Sequence, residues 1–194
     1  GDVYKRQVID SVQDKIRAFV QIQNGCDHRC TFCIIPFGRG NSRSVEYSII
    51  IEQIRNLINK NYKEIVLTGV DLTSYGHDLD DKISLGQLIK KILNDAPELN
   101  RLRLSSLDVA EIDPDLFDVI ENESRLLPHI HLSLQAGDNM ILKRMKRRHS
   151  RDDSINLIKK IRNLRPDVVF GSDFIAGFPT ETEEMFQNTI NLIK

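Results

Sequence analysis

Five strand-like segments alternate with amphipathic helical segments along most of this 194-residue chain. The predicted strands are Ala18–Gln23, Glu64–Gly69, Arg101–Ser106, His129–Leu134 and Asp167–Ile175. Such an alternation predicts a parallel sheet whose strands are joined by right-handed helical crossovers. The chain is therefore restricted to an α/β fold with about five β-α units, built either as an open sheet or as a barrel.

Most of the predicted helices begin at a capping pattern. A short polar residue that is followed three positions later by an acidic or amide residue caps a helix N-terminus, and proline is favoured in the first turn. The predicted helix starts are Tyr47, Ser84 with Gln87, Asp113 with Pro114, Asn139, Ser150 with Asp153, and Thr180 with Glu183. The segment from residue 24 to residue 45, rich in glycine, is predicted to be a long loop.

The polar faces of the predicted strands favour a barrel. In the fourth strand, alternate residues are polar: His129, His131, Ser133 and Gln135 share one face. Strands buried on both faces are almost continuously apolar, so one face here must meet water or a ligand. These side chains could also satisfy one another inside a packed barrel. Because neighbouring strands share the pattern, we favour a partial barrel around a ligand cavity.

Composition and charge exclude several classes of protein. The chain has 27 Lys and Arg residues and 28 Asp and Glu residues. This balance excludes a uniformly basic protein that coats nucleic acid, but it is compatible with a local basic patch. No apolar run approaches the roughly 20 residues of a membrane span. The 3 cysteines are too few for a secreted disulfide framework. We therefore expect a cytoplasmic protein that does not enter the membrane.

The two ends of the chain lead us to expect a fragment. The chain begins with Gly1, and residues 2–7 resemble a translated sequencing adapter, so we expect residues 1–7 to lie outside the fold. An ordinary polar N-terminal segment is the alternative. Lys194 ends a predicted helix without a capping glycine. We expect residues 8–194 to be the incomplete core of a longer protein.

The three cysteines form the strongest chemical signal. Cys26, Cys30 and Cys33 follow the first predicted strand with C-x3-C-x2-C spacing. Three thiolates on a short loop can bind three corners of a [4Fe–4S] cube and leave one iron open to another ligand. Zinc is an alternative, although His28 stands between two cysteines and is badly placed for the usual paired spacing. A disulfide would leave one cysteine over.

This loop resembles that of the radical S-adenosylmethionine (SAM) superfamily, in which an aromatic residue, here Phe32, precedes the last cysteine. The wider pattern is similar to the methylthiotransferases, most closely to those that modify N6-threonylcarbamoyladenosine in tRNA. The resemblance extends over residues 18–194. The strings that carry it are Gln23–Pro36, Arg39–Gly40, Ser42–Ser44, Leu67–Leu72, His131–Gly137 and Met145–His149.

The resemblance implies a cofactor site with no catalytic residues beyond it. SAM would chelate the open iron of a [4Fe–4S] cluster, and reductive cleavage would give a 5′-deoxyadenosyl radical. The cluster ligands would be Cys26, Cys30 and Cys33. The residues expected to contact SAM are Phe32, Gly69, Val70, Asp71, Ser133, Gln135 and Asp173. The candidates for binding RNA phosphate or the SAM carboxylate are Arg144, Lys146, Arg147 and Arg148, although a charge run is more often a solvated face.

The implied reaction is the installation of a methylthio group at C2 of the modified adenosine beside the tRNA anticodon. The expected partners are tRNA and an electron donor such as a flavodoxin-type protein, with the enzyme acting as a monomer. Relatives carry a second-cluster domain at the N-terminus and an RNA-binding domain at the C-terminus, and neither is found in this sequence. The isolated chain is therefore expected to be inactive. The alternatives are an isopentenyladenosine tRNA substrate, a ribosomal-protein aspartate, or a non-catalytic metal-binding module.

Overall fold

The computed structural model describes residues 16–194, so the expected adapter-derived segment 1–7 lies outside the described residues. The strands are β1 (Arg17–Gln21), β2 (Gln23–Asn24), β3 (Arg43–Ser44), β4 (Glu64–Thr68), β5 (Arg101–Leu104), β6 (His129–Gln135) and β7 (Val169–Phe174). The helices are α1 (Ile35–Arg39), α2 (Tyr47–Asn59), α3 (Leu85–Asp95), α4 (Pro114–Asn122), α5 (Asn139–Arg144), α6 (Arg151–Leu164) and α7 (Glu183–Ile193). Two short 3-10 turns span Leu72–Ser74 and Val109–Glu111.

The five longer strands are parallel and adjacent in chain order, which confirms the predicted α/β fold. Strand β4 pairs with both β1 and β5, and β6 pairs with β7. A parallel bridge between Leu107 and Leu132 joins the two groups of strands just beyond the end of β5. Their carboxyl ends therefore meet along one edge, where parallel α/β folds place their sites.

The two faces of the strands differ as the sequence predicts. In β6 the apolar residues Ile130, Leu132 and Leu134 are buried in the main core, while the intervening polar residues are partly exposed. On β5 and β4, Arg103 donates a hydrogen bond from Nε to Glu64 Oε1 over 2.9 Å. Both interpretations of the polar face are thus realised: some side chains satisfy one another, and others, nearer the carboxyl ends, line a cavity.

Several caps agree with the sequence, and one does not. The capping boxes at Ser84 and Ser150 are both present, and Asp113 caps α4. The last helix, however, is capped by Thr182, whose side chain accepts a hydrogen bond from the Met185 amide, so the predicted cap at Thr180 is wrong. Thr180 has a φ of 71°, which a residue entering a helix at its N-cap does not adopt.

The predicted loop from residue 24 to residue 45 is partly ordered into β2, α1 and β3. Gly25 at its base has a φ of 75°, and a side chain there would meet the carbonyl oxygen of Asn41 at 2.0 Å. Glycine is therefore required where the loop folds back on itself. No helix within residues 16–194 combines the length and apolar character that a membrane crossing needs.

Candidate active site

A cavity of about 190 Å³ opens at the carboxyl ends of β1, β4, β5 and β6. All three cysteines line it, together with side chains from the segments that follow β4, β5 and β6. The complete lining is Cys26, His28, Cys30, Phe32, Cys33, Ile35, Val70, Asp71, Ser106, Asp108, Ser133, Gln135 and Arg147. Three thiols thus share one chamber with two carboxylates and a guanidinium.

The buried amide of Gln23 fixes the start of the cysteine loop. Its Nε2 donates to the Gly25 carbonyl over 2.8 Å and to Ser42 Oγ over 2.9 Å, while its Oε1 accepts from the Asp71 amide over 2.8 Å. One side chain therefore connects both ends of the loop with the turn after β4. A buried amide with this many hydrogen bonds holds its neighbours in one arrangement.

The middle of the loop is fastened to the end of α5. The Thr31 amide donates to the Met145 carbonyl over 3.2 Å, and Thr31 Oγ1 donates to the Arg144 carbonyl over 2.9 Å. The Cys33 amide donates to the Cys30 carbonyl over 3.1 Å, which folds the last two cysteines into a turn. The loop is thus held against the protein at several points before any ligand is considered.

His28 lies between two carboxylates. Its Nε2 is 3.0 Å from Asp71 Oδ2 and 3.6 Å from Glu111 Oε2. The Asp71 carboxylate, followed by that of Glu111, raises the pKa of His28 to about 10. Burial opposes the ionisation of Glu111, but the nearby His28 and Arg148 outweigh it and hold the pKa of Glu111 below its usual range. The group therefore favours a protonated imidazole at His28 and an ionised carboxylate at Glu111.

The cysteine nearest this group is Cys26, whose Sγ lies 3.6 Å from Asp71 Oδ2. Burial raises the pKa of the Cys26 thiol to about 12, and the negative charge of Asp71 adds to the rise. The thiol therefore keeps its proton in the metal-free chain. A bound metal ion reverses this preference, since it stabilises the thiolate directly.

Arg147 forms the opposite wall of the cavity, and its side chain is only 7% exposed. Its Nη2 donates to Asp108 Oδ2 over 2.7 Å and to the Ser133 carbonyl over 2.8 Å, while Nη1 donates to Cys30 Sγ over 3.7 Å. The guanidinium therefore links β6, the turn after β5 and the cysteine loop.

The structure brings together most of the residues that the sequence singled out, but not all of them. Those in the cavity wall are Cys26, Cys30, Cys33, Phe32, Val70, Asp71, Ser133, Gln135 and Arg147. Asp173 instead has a side chain that is 88% exposed, 3.6 Å from His131 Nε2. Gly69 packs against Gln23, whose Oε1 would lie 2.8 Å from an added Cβ.

The other three basic candidates also lie outside the cavity lining. Arg144 donates to the Thr180 carbonyl over 2.8 Å, which fastens α5 to the segment before α7. Arg148 pairs with Glu111 and lies 3.5 Å from Asp108. Lys146 is exposed. Of the four basic candidates, Arg147 lines the cavity, and its place in the sequence alone does not distinguish it from its neighbours.

Sequence reasoning missed Asp108, Ser106 and Glu111, and it assigned His28 no role in the cavity. Asp108 caps the 3-10 turn after β5 and also accepts from Arg147. A position at the carboxyl end of the predicted strand Arg101–Ser106, or just past it, was the available signal for Ser106 and Asp108 respectively. Glu111 has no such signal, because the 3-10 turn alone places its carboxylate beside His28.

Comparison with known proteins places the chain in a family. A sequence profile described as "Radical SAM superfamily" matches residues 20–193. The chain belongs to the radical SAM superfamily. Its fold agrees: it superposes with a TM-score of 0.73 on the radical SAM methyltransferase TsrM from Kitasatospora setae, at 15% identity, over 90% of this chain and 31% of that one. Methylornithine synthase gives a TM-score of 0.61 at 14% identity, over 92% of this chain and 49% of that one.

Relatives with higher identity are tRNA-modifying members of the superfamily. The chain is 55% identical over 186 residues to threonylcarbamoyladenosine tRNA methylthiotransferase MtaB of Rickettsia prowazekii. This alignment covers 96% of this chain and 44% of the relative. It is 40% identical to the tRNA-2-methylthio-N(6)-dimethylallyladenosine synthase of Clostridium tetani, over 92% of this chain and 39% of the relative. The chain thus spans less than half the length of these relatives.

Proposed function

We propose that this chain is the radical SAM core of a cytoplasmic methylthiotransferase that acts on N6-threonylcarbamoyladenosine in tRNA. The observation that carries the proposal is the single cavity in which Cys26, Cys30 and Cys33 face the Asp71 carboxylate and the Arg147 guanidinium. The 55% identity to the Rickettsia prowazekii enzyme supports the choice of substrate, since the dimethylallyladenosine synthase of the same genus, from Rickettsia canadensis, is 42% identical.

The residues present fit a [4Fe–4S] cluster with SAM beside it. Cys26, Cys30 and Cys33 would hold three irons, because all three thiols reach one chamber and the loop that carries them is already held in place. The cavity wall contains no fourth cysteine, which leaves one iron open for SAM. When bound, the cluster and SAM supply the one-electron chemistry that removes a hydrogen atom from the substrate.

The side chains around the cluster would bind and orient SAM. Asp71 offers a carboxylate to the methionyl ammonium, and Ser133 and Gln135 line the same cavity as Asp71 and Arg147. Arg147 suits a carboxylate, because its buried Nε has no hydrogen-bond acceptor among the described residues. Phe32, 40% exposed at the cavity, would cover one side of the bound cofactor and reduce its access to water.

The partners belong to the same proposal. The exposed side chains of Lys143, Arg144 and Lys146 follow β6 on the cavity side of the sheet and would contact tRNA phosphates. A flavodoxin-type protein would supply the electron. Domains in the remaining length of the relatives would grip the tRNA and deliver sulfur, so the isolated chain should not complete methylthiolation.

The experiment that tests the proposal is anaerobic reconstitution with iron and sulfide, followed by iron analysis and electron paramagnetic resonance of the reduced protein. We expect about four irons per chain and a spectrum that changes when SAM is added. In a longer chain that includes the tRNA-gripping domain, release of 5′-deoxyadenosine should increase with an anticodon stem-loop carrying threonylcarbamoyladenosine and not with one carrying isopentenyladenosine. A cluster that ignores SAM would contradict the enzyme assignment, and the reverse stem-loop preference would contradict the substrate.

A further inference from the structure

We infer that the chain also forms a mononuclear zinc site from Cys26, His28 and Asp71, which uses one thiol of the cysteine loop and leaves the other two unligated. One donor atom from each of the three residues, a thiol sulfur, an imidazole nitrogen and a carboxylate oxygen, lies within 4.8 Å of the other two. Sulfur, nitrogen and oxygen donors in this combination suit zinc, whose open sites take three protein ligands and a water.

The distances between the donors agree with a shared metal ion. Usual zinc bond lengths give tetrahedral edges of about 3.4 Å between nitrogen and oxygen and about 3.6 Å between sulfur and oxygen. His28 Nε2 and Asp71 Oδ2 are 3.0 Å apart, and Cys26 Sγ and Asp71 Oδ2 are 3.6 Å apart. A widening of a few tenths of an ångström would bring the edge between His28 Nε2 and Asp71 Oδ2 to the zinc value, and Cys26 Sγ lies within 4.8 Å of His28 Nε2.

The orientation of the imidazole supports the same conclusion. His28 Nε2 is buried and makes no well-aligned hydrogen bond, although a carboxylate oxygen lies 3.0 Å away. A donor atom placed close to an acceptor but not pointed at it suits a common ion between the two better than a direct bond. Glu111 Oε2, 3.6 Å from the same nitrogen, is in reach to orient the imidazole or a bound water.

The frame behind the site is rigid. The Asp71 amide is held by Gln23, and the His28 amide donates to Cys26 Sγ over 3.4 Å. The three ligands come from two segments that Gln23 already connects, so binding a metal ion here orders little additional chain. The side chains of Cys30 and Cys33 are not members of this ligand group.

The site should compete with cluster assembly, because both need Cys26. Zinc bound first would occupy one thiol and also the carboxylate that the proposed function assigns to SAM. This competition rests on the proposed function, whereas zinc binding itself does not. A chain that binds zinc but assembles no cluster would therefore contradict only the competition and the proposed function, and not the zinc site.

The test is a titration of the metal-free chain with Co²⁺ as a spectroscopic substitute for Zn²⁺, followed by displacement with Zn²⁺. We expect one equivalent to bind with tetrahedral absorption bands and a thiolate charge-transfer band. The variants H28Q and D71N should lose these bands, while the matched variants C30S and C33S should keep them. Bands that survive H28Q but disappear in C30S would overturn the proposal, because they would indicate a site built on the three thiols.

A second measurement needs no variant. Alkylation of the native chain, mapped by mass spectrometry with and without one equivalent of Zn²⁺, should show protection of Cys26 by at least tenfold. Cys30 and Cys33 should react at nearly unchanged rates. Equal protection of all three cysteines, or protection of none, would overturn the mononuclear site even if every substituted chain failed to fold.

Discussion

At the scale of single residues, Arg147 is the side chain on which the cavity wall most depends. It ties the buried Asp108 carboxylate to the Ser133 carbonyl and to the Cys30 sulfur. Replacement by Gln removes the charge opposite Asp108, and breaking a buried ion pair in this way costs about 3 kcal/mol. We therefore expect R147Q to lower the free energy of unfolding by about that amount in urea.

The control for this substitution is K143Q, which changes an exposed lysine on α5. An exposed side chain away from buried partners should alter stability by less than about 0.5 kcal/mol. Equal effects of the two substitutions would show that Arg148, 3.5 Å from Asp108, replaces Arg147 as the partner of that carboxylate.

His28 should make the stability of the metal-free protein depend on pH. Its pKa rises from 6.5 to about 10 in the folded chain, chiefly because of the Asp71 carboxylate. A group whose pKa is raised by folding stabilises the protein fully below its unfolded pKa, and this contribution is lost as the pH rises toward 10. Chelator-treated protein should therefore lose more stability between pH 7 and pH 9 than H28Q does. The measurement is the melting temperature of both proteins at several pH values in this range. An equal loss of stability in the two proteins would contradict the raised pKa of His28.

At the scale of secondary-structure elements, the contact between α3 and α4 depends on Gly86. A Cβ there would lie 2.1 Å from the Leu116 amide nitrogen, and the Gly86 amide donates to Asp113 Oδ2 over 3.1 Å. The first turns of the two helices therefore touch through backbone. G86A should separate them and lower the free energy of unfolding by about 2 kcal/mol, as overpacking does.

Gly38 provides the matched substitution, because a Cβ at that position meets nothing within 4 Å and the residue lies in α1. G38A should be neutral or should stabilise the chain by up to about 1 kcal/mol, because alanine has a higher helix propensity than glycine. Thermal melting of both variants under one condition measures the difference. Equal destabilisation of the two variants would contradict the role of the close backbone contact at residue 86, because no such contact exists at residue 38.

At the scale of the whole molecule, the strand order leaves an outer edge on β1 and another on β7 within the described residues. Strand β1 pairs only with β4, and β7 pairs only with β6. An unpaired strand edge attracts other strands, and a lysine on that edge opposes this. Val169, which is 60% exposed on β7, is the place to introduce one. We expect the chain to associate at high concentration in sedimentation experiments and V169K to associate less. Unchanged association in V169K would locate the contact elsewhere.

The sequence predicted those parts of the fold and the site that depend on residues close together in the chain. It did not predict contacts between residues that are far apart in the chain. The cysteine spacing, the alternation of strands with helices and the polar face of β6 are local patterns. The structure confirms the alternation and places the three cysteines and side chains of β6 around one cavity. The contact of Arg147 with Asp108 depends on how the turn after β5 meets the segment after α5. Glu111 and His28 meet for the same reason, across 83 residues of sequence, and no local pattern predicts such a pair.

The attachment of the cysteine loop to α5 has a consequence in time as well as in space. The hydrogen bond from Thr31 to Arg144 joins residues 113 positions apart, and that from Arg147 to Cys30 joins residues 117 apart. A ribosome adds about 5–20 residues per second, so the three thiols are synthesised roughly 6–23 s before the segment that fastens the loop. Throughout that interval the cysteines are open to oxidation and to stray metal ions. The cavity is therefore complete only after α5 has folded, and the order of synthesis makes the cysteine loop one of the last parts of the cavity to become fixed.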